Sequence, residues 1–352
     1  MFFRMKLSKL FLNKKRIVCA AAAFLALTAL SACSLTGPKI MTSSLFAMDT
    51  IMELQVAGDE ELLTGAETMI RDLEKELSVT DEGSQIFALN RDGEADVSSE
   101  VADIMKGALD VCDRTDGALD ISIYPVLKAW GFTTGSYKVP QEAEIEALLQ
   151  NVDYRRVEIA GSRATIAQDM KVDLGSVVKG YTSTAVADYF RENGVKSALI
   201  NLGGNVQCIG KKPDGQKWKV AIKSPFEDSQ TGIFAVIDAE DVAIITSGGY
   251  ERYFEENGEI YWHILDPKTG YPARNGLMSV TIIGKDGLMC DGLSTALFVM
   301  GLDEAVEFWK QAGDFDAVFI TESGEVYVTE GIESSFNLYN EYYDAPVHVL
   351  KK

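Results

Sequence analysis

Apolar positions along the chain fall into alternating, helically spaced and continuous runs, and each run implies an element. Asp49 to Val56 alternates well enough for a half-buried strand. From Asp59 to Leu77 the residues Leu62, Leu63, Ala66, Met69, Ile70, Leu73 and Leu77 recur at helical spacing, which predicts an amphipathic helix. A turn-rich stretch, Thr80-Asp81-Glu82-Gly83-Ser84, follows it. A second helix is predicted over Glu100–Arg114 with Ser98 or Ser99 as N-cap. Asp116–Thr134, rich in glycine and aromatics, reads as a structured loop, and Glu142–Leu149 as a short helix.

The second half is mainly strands with inserted helices. Arg156–Ile159 and Arg163–Ala167 read as a hairpin across Gly161-Ser162. Ser176–Glu192 is a predicted helix, and Ser197–Asn201 a strand closing on Gly203-Gly204. Further strands are expected at Trp218–Lys223, Gly232–Asp238, Val242–Thr246, Ile260–Ile264, Ser279–Ile283, Ala317–Ile320 and Val326–Thr329, with helices at Gly292–Met300 and Glu304–Gln311. No internal repeat or long linker interrupts them, so the pattern predicts an α+β or mixed α/β body with long loops.

The N-terminus reads differently. Arg4, Lys6, Lys9, Lys14, Lys15 and Arg16 form a basic segment, followed by 14 uncharged residues from Ile17 to Leu30. That run is short for a membrane span and fits a signal peptide. Leu30-Ser31-Ala32-Cys33 resembles the lipobox of bacterial lipoproteins, which would make Cys33 the lipidated first residue of the mature chain, with 319 residues following it. An ordinary N-terminal membrane anchor is the alternative. Either way the expected location is the extracytoplasmic face of a bacterial cell membrane.

Removing residues 1–33 takes Lys plus Arg from 33 to 27 against 53 acids, a net charge of about −26. Such a surface repels nucleic acid and anionic headgroups. It would also repel a phosphorylated ligand unless a cation or a helix N-terminus intervened. Cys112, Cys208 and Cys290, far apart in apolar sequence, read as buried small hydrophobes, with their pairing left open. With two histidines, His263 and His348, and no CxxC spacing, a zinc site is not indicated.

Five segments could carry chemistry. Asp173-Leu174-Gly175-Ser176-Val177-Val178-Lys179-Gly180 enters a helix and could either offer backbone N–H groups to an anion or be a plain cap. Asn201-Leu202-Gly203-Gly204-Asn205 and Thr246-Ser247-Gly248-Gly249-Tyr250-Glu251-Arg252-Tyr253 could bring backbone close to a planar ligand, or be simple turns. His263, before Asp266-Pro267 and Gly270-Tyr271-Pro272, could be a general base, a phosphate contact or a surface histidine. Asp291 and Thr295, four apart at a helix start, share a face and could offer oxygen ligands to Mg²⁺; Asp291 could equally be an N-cap.

These segments, in this order, resemble the ApbE family of FAD:protein FMN transferases. The resemblance extends from Phe46-Ala47-Met48-Asp49-Thr50 to beyond the Asp291 helix and includes Ser84, Asn90, Gly117-Ala118-Leu119-Asp120 and Trp130-Gly131-Phe132. It implies an α+β, two-lobed, T-fold-related body over residues 45–340, with a linker at 34–44, a tail at 341–352, and FAD in the cleft between lobes. It further implies Mg²⁺ ligation by the side chains of Asp291 and Thr295 and the carbonyl of Ser176, with Asp291 also essential to catalysis. Flavin contacts are implied at Met48, Thr80, Ala118, Leu119, Asp120, Asp173, Lys179 and Leu265. His263 is implied to activate the acceptor hydroxyl. The implied partners are FAD, a flavin-accepting extracytoplasmic protein and, through lipid, the membrane.

Two positions depart from the family pattern. Thr80 stands where many members have a tyrosine, a position thought to bear on transfer of FMN against hydrolysis of FAD. Ser294 stands where some have an aspartate, which makes it a weaker candidate metal ligand. The alternatives to a transferase are a Mg²⁺-dependent FAD pyrophosphatase and a non-catalytic flavin-binding lipoprotein.

Overall fold

The computed structural model describes residues 39–352. The signal segment and the Cys33 anchor lie outside the described residues. Ile40–Lys352 pack as one compact unit, and no helix among the described residues is long and apolar enough to cross a membrane.

A nine-stranded sheet organises that unit. Its order is Ile40–Ala47, Thr50–Ala57, Ala198–Leu202, Asn205–Ile209, Ala243–Gly248, Leu277–Gly284, Asp316–Thr321, Val326–Thr329 and Val347–Leu350. All pairings are antiparallel except the last, where Val347–Leu350 lies parallel to Val326–Thr329. Helices Glu60–Leu77 and Val178–Glu192 bury Leu63, Ala66, Ile70, Val186 and Phe190 against the first strands. Helices Ser99–Arg114 and Gly287–Met300 bury Val111, Leu293 and Leu297 in the largest core cluster. The opposite face is covered by a three-stranded sheet of Trp218–Lys223, Ile233–Ala239 and Phe336–Leu338, which seals Val220, Phe234 and Ile237 against Ile244, Val318 and Ile320. A smaller cluster of Val126, Trp130, Phe132, Ile145 and Leu265 stands apart. The α+β expectation is borne out.

Several boundaries differ from those expected. The linker at 34–44 runs into the body at Ile40, because Ile40–Ala47 is the sheet's terminal strand. The tail at 341–352 likewise contributes the opposite edge strand, its alternating Val347-His348-Val349-Leu350 pairing with Val326–Thr329. Within the expected loop Asp116–Thr134 lies a helix, Tyr124–Trp130, started by Pro125 and ended by Gly131 at φ 88°. Ser84 caps an unexpected helix, Gln85–Asp92, by accepting from the N–H groups of Ile86 and Phe87. The three cysteines are buried and free, the behaviour of small hydrophobes; burial pushes Cys112 and Cys208 up to about 12.

Candidate active site

Three connections lie at one end of the large sheet. Met48-Asp49 turns between the first two strands, Gly203-Gly204 turns between Leu202 and Asn205, and Gly248 ends its strand. Both two-residue turns use positive φ, 48° and 59° for Met48 and Asp49 and 66° and 100° for the glycines, as the twist of a tight hairpin requires. Glycine accepts that conformation freely, whereas Met48 is held in it with its N–H donated to Glu74 at 2.5 Å. A Cβ on Gly203 would also strike the Thr50 side chain.

Those turns form one wall of a cleft of about 790 Å³. Ala118, Leu119, Asp120, Ile123, Phe132 and Thr133 form another wall, and Asp173–Ser176, Val178 and Lys179 with Asp291 and Thr295 form the floor. Every expected site residue among Met48, Thr80, Ala118, Leu119, Asp120, Asp173, Ser176, Lys179, His263, Leu265, Asp291 and Thr295 lines this space. Ser294 does not. It is fully buried, and its hydroxyl donates to the Asp291 carbonyl at 2.8 Å and meets Ser247 Oγ at 2.7 Å. Position 294 neighbours 291 on the helix but lies about 100° round the axis from 295, and its hydroxyl is taken up by the Asp291 carbonyl and Ser247.

Asp291 is the best-defined acid of the floor. The helix carrying it starts at Gly287 and is capped by Asp286, so Asp291 lies one turn inside and is free of any capping duty. It is 5% exposed, and its Oδ2 accepts the Gly180 N–H at 2.8 Å. The two helices approach so closely that a Cβ on Gly180 would collide with the Gly287 carbonyl. Gly180 is the third residue of the Val178–Glu192 helix, so its N–H has no partner within the helix, and Asp291 supplies one; the Ser176 carbonyl, just outside that helix, accepts no backbone N–H among the described residues. Burial raises the Asp291 pKa, and Lys179, the Asn205 amide and the Gly180 N–H oppose that shift. Thr295 Oγ1 lies 3.2 Å from Ser247 Oγ, so one serine holds both Ser294 and Thr295.

The remaining polar residues divide into scaffold and reagents. Asp120 is committed to the scaffold: Oδ1 accepts from the N–H and Oγ of Ser122 at 2.8 and 2.6 Å, and Oδ2 from Tyr154 N–H at 3.0 Å. Asp173 is tied by its N–H to the Ile121 carbonyl and accepts from Gly175, and burial raises its pKa. Lys223 pairs with Glu251 and Arg252 with Asp49, whereas Lys179 makes no ion pair among the described residues and faces the floor. His263 sets its Nδ1 3.2 Å from the Arg252 carbonyl. Its pKa is pushed down to about 4 by burial and by the neighbouring Arg252. The ring is therefore neutral at neutral pH, with Nδ1–H donating to Arg252 and Nε2 left as an acceptor.

The Thr246–Tyr253 segment, a candidate in the sequence without assigned roles, supplies two of the site's positioning residues. Ser247, which holds Thr295, and Arg252, whose carbonyl orients His263, are its working members. A hydroxyl bonded to hydroxyls one helix away leaves no periodic mark in the sequence.

Comparison with known proteins agrees with this geometry. The profile described as the ApbE family matches residues 48–319. A FAD:protein FMN transferase of Klebsiella pneumoniae is 33% identical over 277 residues, covering 77% of this chain and 85% of that protein. One of Salmonella typhimurium is 32% identical over 337 residues, covering 89% and 94%. Among solved structures, the ApbE protein of Thermotoga maritima superposes with a TM-score of 0.79 at 30% identity, over 84% of this chain and 99% of that one. The flavin transferase ApbE of Vibrio cholerae gives 0.76 at 26%, over 84% and 100%. Fold, cleft and sequence together make this chain a member of the ApbE family.

Proposed function

We propose that the chain is a Mg²⁺-dependent FAD:protein FMN transferase, lipid-anchored through Cys33 on the extracytoplasmic face of the membrane and acting on a protein hydroxyl there. The observation that carries the reading is that Asp291, Thr295 and Ser176, whose carbonyl accepts no backbone N–H among the described residues, line one cleft, with Asp291 bound to the start of the Val178–Glu192 helix. Magnesium takes oxygen ligands, uses few from protein and leaves room for phosphate oxygens. One carboxylate, one hydroxyl and one unpartnered carbonyl fit that demand, and Lys179 adds a positive charge beside them. Bound there, the cation would offset charge on the FAD pyrophosphate and on the departing AMP.

The protein's own residues supply the rest. The apolar wall of Met48, Ala118, Leu119 and Leu265 suits the flavin, and the helix start and Lys179 suit its phosphates. His263 Nε2 takes the proton of an acceptor Thr or Ser hydroxyl. The hydroxyl oxygen bonds to the FMN phosphorus as that phosphorus releases the bridging oxygen, with its electron pair, to AMP. Atoms balance as FAD plus hydroxyl giving a phosphoester-linked FMN and AMP.

Thr80 favours a second reading, FAD hydrolysis, in which water replaces the acceptor. It is exposed at the cleft mouth and, among the described residues, bonds only to Ser78, so its own side chain does not close the site there. Incubation with FAD, Mg²⁺ and a folded flavin-acceptor protein, read by intact mass, separates the two. An FMN-mass adduct absent with Asp291→Ala supports transfer; free FMN and AMP without adduct support hydrolysis; neither product leaves a flavin-binding lipoprotein.

A further inference from the structure

The hairpin of Ile40–Ala47 and Thr50–Ala57 carries two apolar side chains that the fold does not use. Phe46 and Ile51 are 64% and 74% exposed and stand directly opposite each other. On the same face Thr42, Ser44, Glu53 and Gln55 are polar, and the far pair Ile40 and Ala57 is packed into the core, so the exposed apolar pair is confined to the hairpin's cleft end. Between the two lie Met48 and Asp49, which line the cleft. Asp49 meets Arg252 at 3.7 Å, and the Arg252 carbonyl holds His263 at 3.2 Å. The apolar pair is thus two contacts from the group assigned to the acceptor proton.

Among the described residues, the strand bearing Phe46 is also the unpaired edge of the nine-stranded sheet. In a two-residue hairpin the pair flanking the turn, here Ala47 and Thr50, exchanges both ladder hydrogen bonds. Alternation then points the main-chain groups of Thr42, Ser44 and Phe46 outward. Open edges with an adjacent apolar anchor suit addition of an extended segment as a further strand, with backbone bonds supplying affinity and side-chain contacts supplying selectivity.

We propose that this edge, anchored by Phe46 and Ile51, is where the acceptor protein docks, adding an extended segment that delivers its hydroxyl over the Met48-Asp49 turn. The proposal rests on the transferase reading, which requires a polypeptide at this mouth. An extended strand is a slender form in which that polypeptide can enter. A membrane contact fits less well. Phe46 lies six residues, about 20 Å of strand, beyond the point where the chain enters the sheet at Ile40. The protein is also strongly acidic.

The test uses the detergent-solubilised full chain, Phe46→Ser/Ile51→Ser and, separately, Ser44→Pro. The double variant removes only exposed side chains. The proline removes an outward N–H and no ladder bond, which edge strands tolerate. FMN transfer to a folded acceptor protein is measured against acceptor concentration, beside FAD affinity from flavin fluorescence and Mg²⁺-dependent FMN release without acceptor. The expected result is an acceptor KM raised about tenfold or more in both variants, with FAD affinity and acceptor-free FMN release unchanged. An adduct formed by wild type and variants at equal KM overturns the docking proposal alone. No adduct from the wild-type chain overturns the transferase reading, and docking with it. An unmoved KM accompanied by lost binding to anionic phospholipid vesicles, or by dissolution of a wild-type dimer, would reassign the patch to membrane or to a second copy.

Discussion

The two ends of the cleft are built on different principles. At the floor, the helix carrying Asp291 and Thr295 packs against the start of Val178–Glu192 so tightly that glycines are needed at 180 and 287, and both side chains are held by named neighbours. At the mouth, Met48, Asp49, Thr80 and Arg252 sit on turns, with Thr80 exposed and Asp49 reaching Arg252 only at 3.7 Å. A rigid floor suits phosphate and cation chemistry, where misplacement by an ångström is costly. A looser mouth suits exchange of large partners. His263 belongs to both, with its ring beside the mouth and its basicity set by burial.

Substitutions at the two ends should therefore fail differently, and the largest effect belongs at the floor. Asp291→Asn should cut both transfer and FAD hydrolysis by about 10³-fold, read as initial rates of AMP release. Retention of either activity would separate the floor from the chemistry. His263→Gln should cut transfer by about 10²-fold or more while leaving FAD affinity intact; an equal loss of FAD affinity would make His263 a binding group instead.

Acidity sharpens the same contrast. Because the imidazole pKa is pushed down to about 4, His263 is neutral throughout the neutral range. The transfer limb governed by this group should be flat there and fall only as the pH drops toward 4; a fall already centred near 6.5 would show an ordinary, solvated histidine. The corresponding linkage has a definite sign. The unfolded chain binds the proton more readily than the folded one between these two values, so this group's share of stability is lost as the pH falls from 6.5 to 4.

A smaller effect is expected at Ser247. Ser247→Ala removes the hydroxyl that steadies Ser294 and Thr295, and should weaken Mg²⁺ affinity by about tenfold at a stability cost of about 1 kcal/mol. An unchanged affinity would mean that Thr295 orients itself. The smallest is at the mouth: Thr80→Tyr should shift products from free FMN toward adduct without changing Mg²⁺ affinity.

The contrast also explains what the sequence disclosed. The Glu60–Leu77 helix was legible because one face is buried and the other wet. The start of Gly287–Met300 was placed five residues late, since this helix is buried nearly all round and lacks a polar face to set its phase. The edge strand Ile40–Ala47 escaped notice because its outward residues are Thr42, Ser44 and Phe46, without the uniform alternation of a covered strand. Asn205–Ile209 was missed for the reverse reason, being buried at every position, Asn205 and Gln207 included. Of the site, Asp291, Thr295 and His263 could be named from ordered motifs. The capture of Gly180 by Asp291 could not, because it joins residues 111 apart.

Calorimetric titration of Mg²⁺ into the FAD-loaded protein, run in parallel on wild type, Asp291→Asn and His263→Gln, tests the division between floor and mouth most directly. The account predicts saturable binding to wild type and His263→Gln, and loss of that binding in Asp291→Asn. Equal affinity in all three would place the cation elsewhere and contradict the assignment of the floor.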